Sequence, residues 1–220
     1  MNLYLDIETI GTTDPEAIAD IAAGISHPKT MSKPDTIAKW LTEEKPAVVQ
    51  EAVKRTSFDG TYGQVITIGY AVDDGEVEAV YQGDGMSERD ILVLFADDVN
   101  RIMDRARTRP VLVGHNIHGF DLRFLWQRYI INGVKPPPLP FQSKAWDANI
   151  NDTMVMWNPE REKRISLDKL CKALKIKSSK DGFDGSMVWD AFKAGEFDKI
   201  ADYCKADVEA VRQCHIRMVA

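Results

Sequence analysis

Cysteine is scarce in this chain, which has only three among its 220 residues. Cys171, Cys204 and Cys214 are an odd number and show no Cys-x-x-Cys spacing. This pattern argues against a disulfide-stapled secreted domain and against a structural zinc site. We therefore expect small, buried, reduced thiols in a cytoplasmic protein.

Long apolar runs are also missing. Hydrophobic residues make up 44% of the chain, but charged residues interrupt every stretch of them, so we expect no membrane-spanning helix and no membrane partner. The first residues do not combine a basic region, an apolar stretch and a cleavage site, so we expect no secretory signal.

Positive charge is not in surplus. The chain has 28 Lys and Arg against 34 Asp and Glu, a formal net charge of −6. This balance argues against a protein that holds nucleic acid mainly through a general basic surface. It leaves room for a nuclease, because metal ions neutralise clustered acids and basic residues can still gather on one face.

Local patterns predict one domain that covers residues 1–220. Apolar residues alternate at 3–9, and the segment 64–72 is rich in β-branched and aromatic residues, so both are expected to be strands. A hairpin signal at 73–75 leads to a returning strand, after which helices and strands alternate. The apolar run 153–157 is interpreted as a further strand. This order predicts an α/β fold with a mixed β-sheet and flanking helices.

The segment at about 14–60 is too long for a simple loop and is predicted to be a helical insertion. Three short stretches in it have helical composition, and Asp14 with Pro15 forms a suitable start for the first. The insertion carries six basic residues: Lys29, Lys33, Lys39, Lys45, Lys54 and Arg55. Two interpretations stay open, because these residues either contact a substrate or form an ordinary charged surface with interleaved glutamates.

Asp6 and Glu8 share one face of the first strand because side chains alternate along a strand. Two like charges side by side are destabilising, and a divalent cation between them removes the repulsion. The alternative is a solvent-facing edge strand. Asp-x-Glu is a weak pattern by itself, since Asp74/Glu76 and Asp207/Glu209 also match it.

Further acids follow at two places. Asp121 comes after the apolar run 111–114 and is expected in the first turn of a helix, where a negative charge is favoured; a plain helix cap is the alternative. Tyr203 and Asp207 are four residues apart on the predicted final helix, so they share one face.

Taken together, these motifs resemble the DnaQ-like (DEDD) superfamily of 3′–5′ exonucleases, in its tyrosine branch. The chain is most similar to exonucleases related to the proofreading domain of family B DNA polymerases. The residues around the motifs also agree with this resemblance: Gly63-Gln64-Val65, Asp152-Thr153 and the segment 185–189 stand in matching places. The histidine branch would need histidine where this chain has Asp202. The resemblance implies an RNase H-like fold, which the order of the predicted elements also suits.

The resemblance implies specific roles for the acids. Asp6, Glu8 and Asp207 would hold one divalent cation, and Asp6 with Asp121 would hold a second. Mg²⁺ or Mn²⁺ is expected because all ligands are oxygens. Two ions about 3.5–4 Å apart would stabilise the attacking and leaving oxygens of an in-line displacement. Tyr203 would orient the attacking water and help to remove its proton.

Four further residues are expected to bind substrate: Thr9, Ile10, Asn116 and Phe120. Thr9 and Ile10 would lie against the terminal nucleotide, and Asn116 and Phe120 would border the strand. The expected substrate is the 3′ end of single-stranded DNA, with RNA open, and a polymerase or repair partner would act in trans. His115 and His118 are weaker metal-ligand candidates, because four carboxylates are available.

Two alternatives remain. The first is a non-catalytic nucleic-acid-binding or polymerase-partner module with the same fold, which the presence of all four acids disfavours. The second is an RNase H-like or integrase-like endonuclease, which the Tyr203/Asp207 spacing on the final helix disfavours.

Overall fold

A computed structural model describes residues 1–83, 85–142, 144, 149–160, 164–180 and 182–220. Within these ranges, five strands form one mixed sheet in the order β3-β2-β1-β4-β5. Strand β1 pairs antiparallel with β2 and parallel with β4, which places it at the centre of the sheet. The strands are β1 Asn2–Ile10, β2 Gln64–Val72, β3 Glu78–Tyr81, β4 Val111–Gly114 and β5 Ile150–Asp152.

Helices cover both faces of the sheet. Leu3, Leu5 and Ile7 of β1 pack into the largest apolar cluster together with the fourth and fifth helices. Tyr4, on the opposite face of β1, packs against the last helix. The helices are α1 Pro15–Gly24, α2 Pro34–Glu43, α3 Lys45–Arg55, α4 Glu88–Ala106, α5 Asp121–Ile131, α6 Thr153–Trp157, α7 Leu167–Leu174, α8 Val188–Lys193 and α9 Phe197–Val219.

Most predicted elements are confirmed, and one is wrong. The apolar run 153–157 is helix α6, and the fifth strand lies immediately before it. Asp152 ends the strand and caps the helix, because its Oδ1 accepts a hydrogen bond of 3.0 Å from the Met154 N–H. A run of five residues, four of them apolar, has no periodicity that separates a strand from a buried helix, so the cap decides its structure.

The segment between β1 and β2 contains α1, α2 and α3, followed by a 3₁₀ turn at Thr56–Phe58. Its end is held tightly against the end of β1. A Cβ atom at Gly11 would lie 2.2 Å from the Val53 carbonyl oxygen, so only glycine permits this approach. The Thr12 N–H donates to Thr56 Oγ1 at 2.8 Å, and Thr9 Oγ1 donates to the Ser57 carbonyl at 2.7 Å.

A buried ion pair joins α4 and α5 to the segment that follows the insertion. The Arg128 guanidinium donates to both carboxylate oxygens of Glu88, at 2.8 and 2.6 Å, and also to the Gly60 carbonyl at 3.2 Å. Glu88 also accepts from the Val65 N–H at the start of β2. Both charges are therefore satisfied by hydrogen bonds, as buried charges must be.

All three cysteines are free and buried. No helix in the described ranges has the length and apolar character needed to cross a membrane.

Candidate active site

Asp6 and Glu8 lie on the face of β1 that is covered by α9, and a glycine allows the helix to come close. Asp6 is paired across the sheet with Gly69 of β2. A Cβ atom at Gly69 would lie 2.9 Å from Cys204 Sγ and 3.1 Å from Val208 Cγ2 of α9. The missing side chain therefore allows α9 to bring its own acid to the first strand.

Asp121 reaches the same place from the other neighbour of β1. Strand β4 pairs only with the first part of β1, at Asn2–Tyr4, so β1 extends beyond it. The Ile7 N–H lies in this extension and donates to Asp121 Oδ1 at 3.2 Å. Asp121 is the first residue of α5 and is only 3% exposed. The first turn of α5 thus carries the third carboxylate to β1.

Burial and the charges of neighbouring acids raise the pKa values of Asp6, Glu8 and Asp121. Burial raises the pKa of Asp6 well above its usual range, and the charges of Asp207, Asp121 and Glu8 raise it further. Burial also raises the pKa of Glu8 well above its usual range, followed by the charges of Asp207 and Asp121. Burial is the main cause that raises the pKa of Asp121 to about 8.

Asp207 has some compensation from neighbours. Burial raises its pKa, while a hydrogen bond from Ser179, a hydrogen bond from Tyr203 and the charge of Lys180 lower it. The Ser179 hydroxyl donates directly to Asp207 Oδ1. Of these three neighbours only Lys180 carries a positive charge, so four acids are compensated by a single cation.

The acid pair on β1 could hold a divalent cation. Ligand atoms of Asp6, Glu8 and Cys204 all lie within 4.8 Å of one another. Burial raises the pKa of the Cys204 thiol well above its usual range, and the neighbouring acids add to this. The Cys204 thiol donates to Asp6 Oδ2 at 3.6 Å. The remaining donors are carboxylate oxygens, which suit Mg²⁺ or Mn²⁺.

Tyr203 lies one helical turn before Asp207, as its sequence spacing predicted. Its ring packs edge-on against Phe183, with 5.2 Å between the ring centroids. Burial is the first cause that raises its pKa far above the usual value, followed by the charges of Asp207 and Glu8. The phenol is therefore neutral at physiological pH and acts as a hydrogen-bond donor.

A cleft of about 660 Å³ opens beside Glu8 and Tyr203. Three of the four residues expected to bind substrate line it: Thr9, Ile10 and Phe120. Ile10 is fully buried in an apolar cluster, so it supports the floor of the cleft. The hydroxyl of Thr9 is already used by the Ser57 carbonyl.

Asn116 lies in a neighbouring cleft of about 370 Å³, together with Arg123 and Asp152. Its φ of +63° is in the left-handed region, and its N–H donates to Asp152 Oδ1 at 2.9 Å. Asp152 thus shapes the segment that leads to Asp121.

The weaker ligand candidate His115 is used structurally. Its Nδ1 lies 2.9 Å from Thr153 Oγ1, and its Nε2 lies 2.9 Å from the Ile165 carbonyl. Burial lowers its pKa. Both ring nitrogens are occupied, so His115 has no free atom for a metal.

Several residues at the site were not found from the sequence: Gly69, Ser179, Lys180 and Cys204. Gly69 had a usable signal, because a glycine inside a strand often marks a close approach of another backbone. Ser179 and Lys180 had none, since they lie in a loop 27 or more positions away from the acid that they support. Cys204 sits between two residues of the Tyr203/Asp207 motif, but the spacing of the motif assigns it no role.

Comparison with known proteins identifies the family. Residues 58–219 match the model of a family described as a predicted 3′–5′ exonuclease related to the exonuclease domain of PolB. The chain belongs to this family. It is therefore an enzyme of the PolB-type 3′–5′ exonuclease class, as the resemblance in its motifs implied. No curated protein matches the chain.

The fold agrees with this membership. The chain is similar to the family B DNA polymerase from the hyperthermophilic archaeon Pyrobaculum calidifontis, with a TM-score of 0.57 and 21% sequence identity. The match covers 73% of this chain but only 22% of the polymerase, so it concerns one part of that enzyme. Together with the mixed sheet and its flanking helices, this likeness confirms the expected RNase H-like fold.

Proposed function

We propose that this protein removes nucleoside 5′-monophosphates from the 3′ end of single-stranded nucleic acid, DNA in preference to RNA. The observation that supports the proposal is that the charges of Glu8, Asp121 and Asp207 all raise the pKa of the buried Asp6, and that Glu8 lines a cleft. Such a group is costly without a cation, and two-metal nucleases use this kind of site.

Asp6, Glu8, Asp121 and Asp207 are the proposed metal ligands. Two bound Mg²⁺ or Mn²⁺ ions would neutralise the charge that develops on the attacking and leaving oxygens of the phosphodiester. Asp6 is the proposed central ligand, because its pKa responds to the charges of all three other acids. Its loss is expected to affect both ions.

Tyr203 is the proposed positioning group for the attacking water. Tyr203 would hold the water by hydrogen bonding and help to remove its proton, as the resemblance implies. Because the pKa of the phenol is raised, the metal ions would supply most of the acidification of this water. Thr9 and Phe120 are proposed to contact the terminal nucleotide from the cleft, and Ile10 to support them from below.

Single-stranded DNA is favoured for two reasons. The cleft combines aromatic side chains with basic ones, as single-strand binding sites do. The family is related to the exonuclease domain of a DNA polymerase family. We further propose that residues 1–220 act as one domain. Any protein partner would be a separate polymerase or repair protein that acts in trans.

The test is a 5′-labelled single-stranded oligonucleotide with Mg²⁺ or Mn²⁺. We expect a ladder that shortens from the 3′ end, a loss of more than about 1,000-fold in Asp6→Ala and a loss of roughly 100-fold in kcat for Tyr203→Phe. Asp74→Ala and Tyr62→Phe are matched controls in exposed segments. The proposal is wrong if wild type gives no metal-dependent product, or if Asp6→Ala cleaves at the wild-type rate.

A further inference from the structure

One wall of the cleft comes from the end of the helical insertion. Lys54 and Arg55 form the last turn of α3, and Phe58 ends the 3₁₀ turn that follows. All three side chains line the cleft together with Glu8 and Tyr203. The family match starts at residue 58, so the basic part of this wall lies outside it.

Phe58 is the most exposed large apolar residue in the described part of the chain. It is 70% exposed, and its ring centroid lies 6.5 Å from that of Phe120, which also lines the cleft. A large apolar side chain gains nothing from contact with water, whereas an exposed ring beside a second ring offers a stacking surface for a base. The Thr9 hydroxyl donates to the Ser57 carbonyl, and the Thr12 N–H donates to Thr56 Oγ1. These two hydrogen bonds fix the 3₁₀ turn in the substrate-free protein.

Lys54 supplies positive charge on the same wall. Among the described residues it has no ion-pair partner, whereas Arg55 is paired through its Nε with Glu51 at 3.1 Å. Charges in the last turn of a helix also complement its dipole, which alone would account for the presence of basic residues. The helix dipole does not account for the exposed aromatic ring one turn further on.

We infer that residues 54–58 bind the single strand next to the scissile phosphate. In this assignment the Lys54 ammonium neutralises a backbone phosphate, and the Phe58 ring stacks on an unpaired base. The insertion thereby adds one phosphate contact and one base contact to the substrate-binding surface. The inference rests on the proposed exonuclease function and deepens it.

The test compares two substrates over a range of salt concentrations. One is a single-stranded oligonucleotide, and the other is the p-nitrophenyl ester of thymidine 5′-monophosphate, which has a scissile phosphate but no preceding nucleotide. Phe58→Ala is expected to raise KM for the oligonucleotide about 10-fold, to leave kcat within about twofold and to leave hydrolysis of the ester unchanged. Phe58→Trp keeps a stacking ring and is expected to restore KM.

Lys54→Met keeps the aliphatic stem and removes only the charge. It is expected to reduce the slope of log KM against log salt by about 0.7 for the oligonucleotide, because one phosphate contact to a single strand is lost. Lys39→Met is the matched control, since Lys39 lies on α2 outside the cleft and pairs with Glu43. Tyr62→Ala is the control for Phe58, as an exposed ring outside the cleft.

The outcomes separate the inference from the proposed function. If wild type cleaves neither substrate with Mg²⁺ or Mn²⁺, the proposed function fails. If wild type cleaves the oligonucleotide but Phe58→Ala keeps the wild-type KM, or Lys54→Met keeps the wild-type salt slope, the exonuclease stands and the role of residues 54–58 is refuted. A folding defect is detected separately, because it would also reduce hydrolysis of the ester.

Discussion

Replacing Asp121 by asparagine should stabilise the metal-free protein at alkaline pH. The Asp121 carboxyl is buried beside other acids, and its pKa is raised to about 8. Its side chain also accepts the Ile7 N–H, a hydrogen bond that an asparagine oxygen can accept equally well. The Asp121→Asn change therefore removes a costly charge with little change of shape.

The direction and size of the effect follow from linkage. The folded-state pKa lies above the ordinary value of 3.8, so folded wild type holds a proton that the unfolded chain has lost, and its stability falls as pH rises from about 4 to about 8. At about 1.4 kcal/mol per pH unit, the ceiling is about 6 kcal/mol. Water penetration and relaxation around the coupled acids reduce this, so we expect Asp121→Asn to gain roughly 2 kcal/mol at pH 9.

Thermal unfolding in EDTA at pH 5, 7 and 9 measures this gain. Roughly 2 kcal/mol corresponds to a rise of about 4–8 °C in Tm at pH 9 for a domain of this size, with a much smaller rise at pH 5. Asp74→Asn, the same change at an exposed acid, should give no such trend. If the gain of Asp121→Asn does not grow between pH 5 and pH 9, the carboxyl is not held at a cost, and the physical basis for the metal site is lost.

Three further changes test other parts of the structure. Gly11→Ala places a Cβ atom 2.2 Å from the Val53 carbonyl, so α3 must shift; we expect a loss of about 1–3 kcal/mol in a urea titration, together with a raised KM. Arg128→Met leaves the Glu88 carboxylate buried without its partner and should cost about 3–5 kcal/mol, and adding Glu88→Gln should recover part of that loss. Burial lowers the pKa of His215, so as the pH drops below about 6.5 the unfolded chain binds a proton before the folded protein does, and the free energy of unfolding falls. If the free energy of unfolding of His215→Gln falls as steeply with pH as that of wild type, His215 is not the cause.

The sequence by itself determined the chemistry of the candidate site. Alternation along β1 placed Asp6 and Glu8 on one face of the strand. Helical spacing placed Tyr203 and Asp207 on one face of α9. Both patterns depend only on local backbone geometry. The cap at Asp14 was readable for the same reason, and its Oδ1 accepts a hydrogen bond of 3.0 Å from the Glu16 N–H. The run 153–157 was misread because its length gives no period and its cap lies one residue upstream.

Only the tertiary structure decided how the four acids come together and what surrounds them. The contact over Gly69 brings Asp207 to β1, and the short pairing of β4 leaves room for Asp121 at the Ile7 N–H. The insertion could be recognised as helical, but its place beside the cleft depends on its contact with Gly11. Such contacts join residues that are far apart along the chain, and they follow from complementary shapes and buried hydrogen bonds that no local pattern of residues encodes.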